Sequence, residues 1–236
     1  MAKDFTFKQF HIDAFQCGMP VSTDAVLLGS WANIDSADSI LDVGCGTGLL
    51  SIMSAQRNAV AKIKAIEIEI NAVNAAKQNS LNCPWWERID VEQIAVQDFA
   101  KNNQYFDAII CNPPYFNSGE TSQNNQRAQA RHTTTLSHSD LLQSCSLLLT
   151  SKGRANFVLP KVEGDKFVSL AEGSDLQLSR ITYVKTTAKK EVSRVLIELT
   201  KQGQAMTCEP SQILINDKAG YSDEFIALTN TFYLNM

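Results

Sequence analysis

Two short stretches of the chain combine residue types that suit ligand binding and catalysis. The first, Asp42 to Gly48 (DVGCGTG), places three glycines at alternate positions after an acidic residue. Glycine accepts positive φ and lets backbone amides approach a ligand closely. The second, Cys111 to Phe116 (CNPPYF), places an asparagine and a tyrosine around two prolines. Each proline fixes φ and removes a backbone donor, so this turn is predicted to be rigid.

The glycine spacing narrows the ligands that the first stretch could bind. A helix that begins after such a loop directs unpaired N–H groups and a partial positive charge at its ligand. The dinucleotide fingerprint G-x-G-x-x-G would need glycine at position 49, which is Leu. A P-loop would need Gly-Lys-Ser/Thr, and no lysine follows Gly48. The stretch therefore either binds a ligand other than a dinucleotide or a nucleoside triphosphate, or is a plain glycine turn.

The Asn-Pro-Pro-Tyr turn is suited to hold a planar amine. The nitrogen of such an amine is a poor nucleophile because its lone pair is delocalised. The Asn112 side-chain oxygen and the Pro113 carbonyl could accept its two hydrogens, which is positioning rather than acid–base chemistry. Tyr115 could stack on a base, an interaction worth about 1–3 kcal/mol. A stacked base would first have to be turned out into the pocket. The alternative is an ordinary turn.

Both stretches follow predicted strands in an alternating pattern of strands and helices. Strands are predicted at 39–43, 63–68, 89–95, 106–111 and 154–159, and helices at 48–58, 71–81 and 139–149. This alternation is typical of an α/β sheet. Two later β-rich runs, 179–185 and 194–200, are joined by a charged segment and predict an antiparallel hairpin. Residues 117–135 carry few structure signals and are predicted to form a loop on the substrate side.

Composition describes an ordinary globular protein. The 236 residues are 44% hydrophobic with a net charge of −4, and their mean hydropathy is −0.14. No apolar run approaches the roughly 20 residues of a membrane span, and the N-terminus lacks a signal-peptide core. A cytoplasmic protein is therefore expected. The six cysteines include no C-x-x-C pair, so no zinc site is expected. Residues 152–194 carry a local charge of +4.

The chain resembles a known family in both stretches and beyond them. The glycine stretch resembles motif I of the class I S-adenosylmethionine (SAM) methyltransferases, and the later turn resembles that of the N-P-P-Y amino-methyltransferases. Over essentially its whole length the chain is similar to the bacterial tRNA1(Val) (adenine(37)-N6)-methyltransferases. The blocks that carry this similarity are FTFKQFHI, CGMPVSTDAVLLGSWA, LDVGCGTGLLSIMSAQR, IICNPPYF, RAQARHTTTLSHSDLL and VSRVLIEL.

The resemblance implies one class I methyltransferase domain over residues 1–236. Its fold would be Rossmann-like α/β, with a seven-stranded, mostly parallel sheet that ends in the antiparallel hairpin. Residues 1–38 would form an N-terminal segment on the cofactor and substrate side. Residues 39–201 would form the core, and 202–236 a C-terminal extension.

The resemblance also implies SAM as the cofactor and particular residues that would bind it. Glu67 would accept the ribose hydroxyls, with Glu69 as a competitor that more simply starts a helix. Asp98 would meet the adenine amino group, with Phe99 as its flat partner. Asp42 would orient the glycine loop or meet the ammonium group. The full set of cofactor candidates is Thr23, Asp24, Asp42, Gly44, Cys45, Gly46, Gly48, Glu67, Asp98, Phe99 and Asn112. Thr23 and Asp24 could equally begin a helix at 25–32.

The substrate implied by the resemblance is adenine N6 in tRNA, at adenine 37 beside the anticodon of tRNA1(Val). Asn112, Pro113 and Tyr115 would hold the base. An acidic enzyme needs a local basic surface for RNA, because phosphate contacts supply much of the affinity. The candidates are Arg127, Arg131, His132, Lys185, Lys189, Lys190 and Arg194. Neither a metal, nor a membrane, nor an obligate protein partner is implied.

Three other functions remain open on the sequence. A glutamine amide of a protein poses the same lone-pair problem, although enzymes of that kind usually have an N-terminal helical domain and only 38 residues precede the first predicted core strand here. Guanine-N2 rRNA methyltransferases tend to have Phe where this chain has Tyr115. A SAM-fold RNA-binding protein with a lapsed active site is disfavoured by the intact glycines and Asn112.

Overall fold

A computed structural model describes residues 4–15, 20–113, 136–201, 203, 208–218 and 220–236. Its strands are β1 Phe5–Thr6, β2 His11–Ile12, β3 Ser39–Val43, β4 Lys62–Glu67, β5 Ile89–Gln93, β6 Phe106–Cys111, β7 Leu149–Pro160, β8 Leu176–Lys185, β9 Val192–Lys201 and β10 Ser211–Leu214. Its helices are α1 Thr23–Trp31, α2 Leu49–Arg57, α3 Ile70–Leu81, α4 Val96–Phe99, α5 His138–Leu148, α6 Lys161–Glu172 and α7 Asp223–Thr229.

The main sheet has the strand order β10-β8-β9-β7-β6-β3-β4-β5. Its pairs are parallel except for β9, which is antiparallel to both β7 and β8. The predicted α/β class I architecture and the late hairpin are therefore confirmed. The predicted strand count is wrong, because the described residues already form a sheet of eight strands and not seven. The additional strand, β10, comes from the segment that was expected to be a C-terminal extension.

Helices cover both faces of the sheet, which explains the continuous apolar runs of its central strands. Helices α1, α2 and α7 pack with residues of the N-terminal segment on one apolar layer. Helices α4, α5 and α6 pack on the other layer. Strand β3 is buried from its second residue onward, and β6 is buried except at its second residue. Among the residues that the structure describes, no helix has the length and apolarity to cross a membrane.

The chain reverses its direction across the sheet between β3 and β6. From β3 it moves outward through β4 to β5, and it then returns to β6 on the other side of β3. In an open α/β sheet, ligands bind at the carboxyl ends of the strands beside such a switch point. Because β9 is antiparallel to its neighbours, the turn between β8 and β9 also lies at this carboxyl edge.

Candidate active site

The glycine loop between β3 and α2 lies at the switch point and depends on backbone conformations that favour glycine. Gly44, Gly46 and Gly48 have φ of +69°, +54° and +83°. A Cβ added at Gly44 or Gly46 would meet no described atom within 4 Å, so these two residues border open space. A Cβ at Gly48 would lie 3.3 Å from the Cα of Ala76. Gly48 therefore also allows α2 to pack closely against α3.

Most of the loop amides donate to acceptors within the protein. The N–H groups of Gly44 and Cys45 both donate to the carbonyl of Ile66, at 2.9 and 3.1 Å, and that of Gly48 donates to the Cys45 carbonyl. The Gly46 N–H donates to Glu67 Oε2 at 3.1 Å. The amides thus fix the shape of the loop, and the open space beside its first two glycines is what a ligand could occupy. The Cys45 side chain is buried, which raises the pKa of its thiol.

Glu67 ends β4 and lies beside the glycine loop, as its predicted role requires. Besides Gly46, it accepts hydrogen bonds from the N–H groups of Ile68 at 2.7 Å and Glu69 at 3.1 Å, both to Oε1. Each carboxylate oxygen has about two acceptor sites, so Oε1 is fully used by these two amides and Oε2 keeps one site for a ligand hydroxyl. Glu69 is the N-cap of α3, where its side chain accepts from the Ala72 N–H at 2.8 Å. It is thus the helix-start residue that the sequence favoured.

Asp42 is fully buried beneath the loop. Its Oδ2 accepts a 2.6 Å hydrogen bond from the Ser51 hydroxyl in α2, and its Oδ1 has no hydrogen-bond partner among the described atoms. Burial raises the pKa of Asp42 to about 7, and the negative charge of Glu67 adds to this while the hydrogen bonds with Ser51 oppose it. The contact with Ser51 joins the end of β3 to the first turn of α2. This arrangement favours the loop-orienting alternative for Asp42.

The two residues predicted to bind adenine are placed very differently. Phe99 is 1% exposed and packs in the layer beneath α4, with its ring centroid 6.0 Å from that of Phe106. No ring face is left for an adenine, so the prediction for Phe99 is wrong. This aromatic side chain is instead part of the hydrophobic core. Asp98 has a side chain that is 63% exposed, and it forms a 2.7 Å ion pair with Lys101. Its cofactor role stays a prediction.

Asn112 and Pro113 follow β6 on the other side of the switch point. The last residue of β6, Cys111, pairs with Val43 at the end of β3. The glycine loop and Asn112 therefore leave adjacent strands, about 5 Å apart. Asn112 is partly buried and Pro113 is buried. Tyr115, Arg127, Arg131 and His132 lie outside the described residues.

One cofactor candidate and one RNA candidate form an ion pair with each other. Arg194 Nε donates to Asp24 Oδ2 at 2.7 Å, and both side chains are partly buried. The Arg194 guanidinium also donates to the Ser193 carbonyl. Each side chain thus compensates part of the charge of the other. The predicted RNA contact of Arg194 and the predicted cofactor contact of Asp24 stay predictions.

The start of α1 follows the alternative that the sequence left open. Ser22 is its N-cap and accepts from the Ala25 N–H at 3.2 Å, and the helix begins at Thr23. The Thr23 side chain hydrogen-bonds to Tyr233. The cap thus lies before both predicted cap residues, Thr23 and Asp24, which are the first two residues of the helix. A ligand role for Thr23 stays a prediction.

Three predicted RNA residues lie at the carboxyl edge, around the turn between β8 and β9. Lys189 and Lys190 are exposed in this turn, and Lys185 is partly buried at the end of β8. Between β6 and β8 lie two strands, which puts this turn roughly 10–14 Å from the end of β6. The local charge alone did not indicate that this turn lies at the same edge of the sheet as the switch point.

A family model described as "Methyltransferase small domain" matches residues 22–159, which include the glycine loop and Asn112. A protein of Aliivibrio fischeri named "tRNA1(Val) (adenine(37)-N6)-methyltransferase" is 52% identical over 236 residues, covering 100% of both chains. The chain belongs to this methyltransferase family. A Vibrio cholerae member with the same name is 48% identical and covers 99% of this chain and 96% of its own.

Solved structures with low sequence identity share the fold of the family. A predicted O-methyltransferase from Agrobacterium tumefaciens superposes with a TM-score of 0.68 at 19% identity, covering 89% of this chain and 96% of its own. A putative RNA methyltransferase from Pyrococcus horikoshii gives a TM-score of 0.52 at 19% identity, with coverage of 75% and 81%. These similarities confirm the class I methyltransferase fold and carry no information on the substrate.

Two side chains at the site were not anticipated from the sequence. Ser51 is the hydrogen-bond partner of Asp42, and Asn79 in α3 donates to the Thr47 carbonyl of the glycine loop at 2.9 Å. A serine or asparagine within a helix is usually a surface residue, so neither type gives a signal. Their burial, which the sequence did not indicate, distinguishes them.

Proposed function

We propose that this chain is a SAM-dependent methyltransferase that acts on N6 of adenine 37, beside the anticodon of tRNA1(Val). The observation that carries the catalytic part is the pair of loops at the switch point. The glycine loop leaves β3 and Asn112 leaves β6, on strands paired through Val43 and Cys111. The substrate is inferred from the name of relatives that match the chain over its full length.

The residues around the glycine loop fit SAM. The open space beside Gly44 and Gly46 is large enough that no described atom approaches within 4 Å of a Cβ there. Glu67, hydrogen-bonded to Gly46 beside this space, keeps one acceptor site on Oε2 for a ribose hydroxyl. Buried Asp42 accepts a hydrogen bond from the Ser51 hydroxyl and so joins the end of β3 to the first turn of α2, which supports the loop around this space. When bound, SAM supplies an electrophilic methyl group.

Asn112 and Pro113 would hold the adenine amine next to that methyl group. The Asn112 side-chain oxygen and the Pro113 carbonyl would accept the two N6 hydrogens. This restrains the amine so that its nitrogen lone pair points at the methyl carbon. The amine held there would receive the methyl group that SAM supplies, and its nitrogen would afterwards lose one proton to water. The turn needs no general base for this order of events. Tyr115 would stack on the base that is turned out of the anticodon loop.

The turn between β8 and β9 is the proposed contact for RNA phosphates. Lys189 and Lys190 are exposed at the same edge of the sheet as Asn112. Their roughly 10–14 Å separation from β6 suits nucleotides that flank the methylated base. Contacts of this kind carry no sequence information and make the affinity salt-dependent. We place the protein in the cytoplasm, as one methyltransferase domain, because its proposed substrate is tRNA.

The proposal is tested with labelled SAM and two unmodified transcripts of tRNA1(Val), one natural and one with guanine at position 37. The expected result is N6-methyladenosine in the natural transcript and no label in the variant. Total bacterial protein serves as a third acceptor. Label in protein, in another nucleoside, or equally in both transcripts would contradict the proposal.

A further inference from the structure

The N-terminal segment reaches the glycine loop through one buried asparagine. Asn79 lies near the end of α3 and is 1% exposed. Its Nδ2 donates to the Thr47 carbonyl in the glycine loop at 2.9 Å and to the Asp13 carbonyl at 3.0 Å. Its Oδ1 accepts from the Asp13 N–H, also at 3.0 Å. A single amide therefore binds both backbone groups of Asp13 and one carbonyl of the loop.

These bonds fix the last peptide of the glycine loop from both sides. The carbonyl of Thr47 accepts from Asn79, and the N–H of the next residue, Gly48, donates to the Cys45 carbonyl at 2.8 Å. The peptide plane between Thr47 and Gly48 is thus held at two points. Since the loop contains three residues with positive φ, such restraints select its shape among the many that glycine allows.

The same bonds hold the N-terminal segment beside the loop. Beyond Asp13, the Ala14 N–H donates to Asp4 Oδ1 at 2.9 Å. The next residue, Phe15, has a φ of +40° and is 45% exposed. A bulky residue with positive φ is strained, and such strain persists only where the surrounding structure fixes the backbone. The anchor at Asp13 lies two residues before this strained position.

We propose that Asn79 is a positioning residue for cofactor binding, because it joins the glycine loop to the N-terminal segment. This inference rests on the proposed use of SAM. Asn79 acts through the backbone of Thr47 and Asp13 and does not itself touch the reacting groups. Its loss removes one restraint on the loop and detaches Asp13 from α3, so SAM must order both regions further when it binds. The affinity for SAM falls, while turnover with saturating SAM is largely retained.

The chain offers a matched control in Asn58, which is also buried, at 2% exposed. Its Nδ2 donates to the carbonyls of Ile34 and Ala37, both at 2.8 Å. Its Oδ1 accepts from the N–H groups of Val60 and Ala61. These contacts join the loops that precede β3 and β4, at the edge of the sheet opposite the glycine loop. Loss of this amide therefore costs similar stability without affecting the proposed cofactor site.

The experiment compares Asn79→Asp with Asn58→Asp, since each keeps the side-chain shape and removes the two donors. Asn79→Ser and Asn58→Ser are milder versions for use if the aspartates do not fold. SAM affinity is measured by titration calorimetry, and KM and kcat by methyl transfer. We expect the Asn79 variants to raise the Kd and KM for SAM about tenfold, or about 1.4 kcal/mol. Their kcat should stay within about twofold, and the Asn58 variants should bind SAM like the unchanged protein.

A second readout follows the N-terminal segment directly. SAM should slow the amide hydrogen exchange of residues 11–15 in the unchanged protein and in the Asn58 variants, and much less in the Asn79 variants. Equal SAM affinities of folded Asn79 and Asn58 variants would overturn the inference, as would a fall in kcat alone. If the unchanged protein does not bind SAM, the proposed function fails instead.

Discussion

Replacing Gly46 with alanine should separate the shape of the cofactor site from the stability of the fold. Gly46 has a φ of +54°, and an added Cβ would enter space with no described atom within 4 Å. The cost to the fold is then the left-handed conformation alone, about 1–2 kcal/mol. For a chain of this length that corresponds to a fall in melting temperature of roughly 2–8 °C. The methyl group would instead occupy the space that we assign to SAM, so binding should weaken at least about tenfold, or 1.4 kcal/mol.

Gly203 provides the control for this prediction. It has a φ of +91°, its added Cβ would also meet no described atom, and it follows β9 at the edge of the sheet opposite the site. Gly203→Ala should therefore lower the melting temperature by a similar amount and leave SAM binding unchanged. Calorimetric titration with SAM and thermal unfolding of both variants give the comparison. If Gly46→Ala bound SAM as tightly as Gly203→Ala, the open space beside the glycine loop would not be the cofactor site.

Three further predictions concern charges in the structure. Burial raises the pKa of Asp42 from 3.8 to about 7, so the protein should lose up to about 4 kcal/mol of stability as the pH rises from 4 to 7. The Asp42→Asn variant should not show this loss. If urea unfolding gave the same pH dependence for both proteins, the prediction would be contradicted. Glu198 is buried between Arg154 and Arg180. Glu198→Ala should lower the free energy of unfolding by about 3–5 kcal/mol in the same assay, because it leaves these charges uncompensated. A loss below about 1 kcal/mol would contradict this. Replacing Lys189 and Lys190 with alanine should reduce the salt dependence of tRNA binding, measured as the slope of log affinity against log salt concentration, by about 1–2. An unchanged slope would exclude this turn from the RNA interface.

The sequence predicted best those elements whose residues are buried on both faces. The runs at 39–43 and 106–111 match β3 and β6 to the residue, because a strand covered by helices on both sides is a continuous apolar run. Helix α6, by contrast, was not predicted. It contains Gly164, where a Cβ would lie only 2.1 Å from Val195 Cγ2 of β9. Close packing on the sheet therefore selects a residue that locally disfavours helix.

The sequence also predicted those site residues whose position follows from the order of strands and loops along the chain. Glu67 could be placed from its position at the end of the strand after the glycine loop, and it lies there, hydrogen-bonded to Gly46. Contacts between distant residues were not predictable. The pair of Asp24 with Arg194 joins residues 170 positions apart, and each was assigned to a different ligand. Likewise, whether a phenylalanine faces a ligand or the core depends on packing that its local sequence does not reveal.

The turnover of Asn112→Ala tests most directly whether the Asn-Pro-Pro-Tyr turn holds the adenine amine. If Asn112 holds the adenine amine beside the cofactor methyl group, its loss should lower kcat by about a hundredfold to a thousandfold, as does the loss of one preorganised hydrogen-bonding group in other enzymes. Affinities for SAM and tRNA should change less than about threefold, because the substitution does not alter the glycine loop or the turn between β8 and β9. Single-turnover methyl transfer with saturating SAM and tRNA measures this rate. A variant with near-normal turnover would contradict the claim that this turn holds the amine.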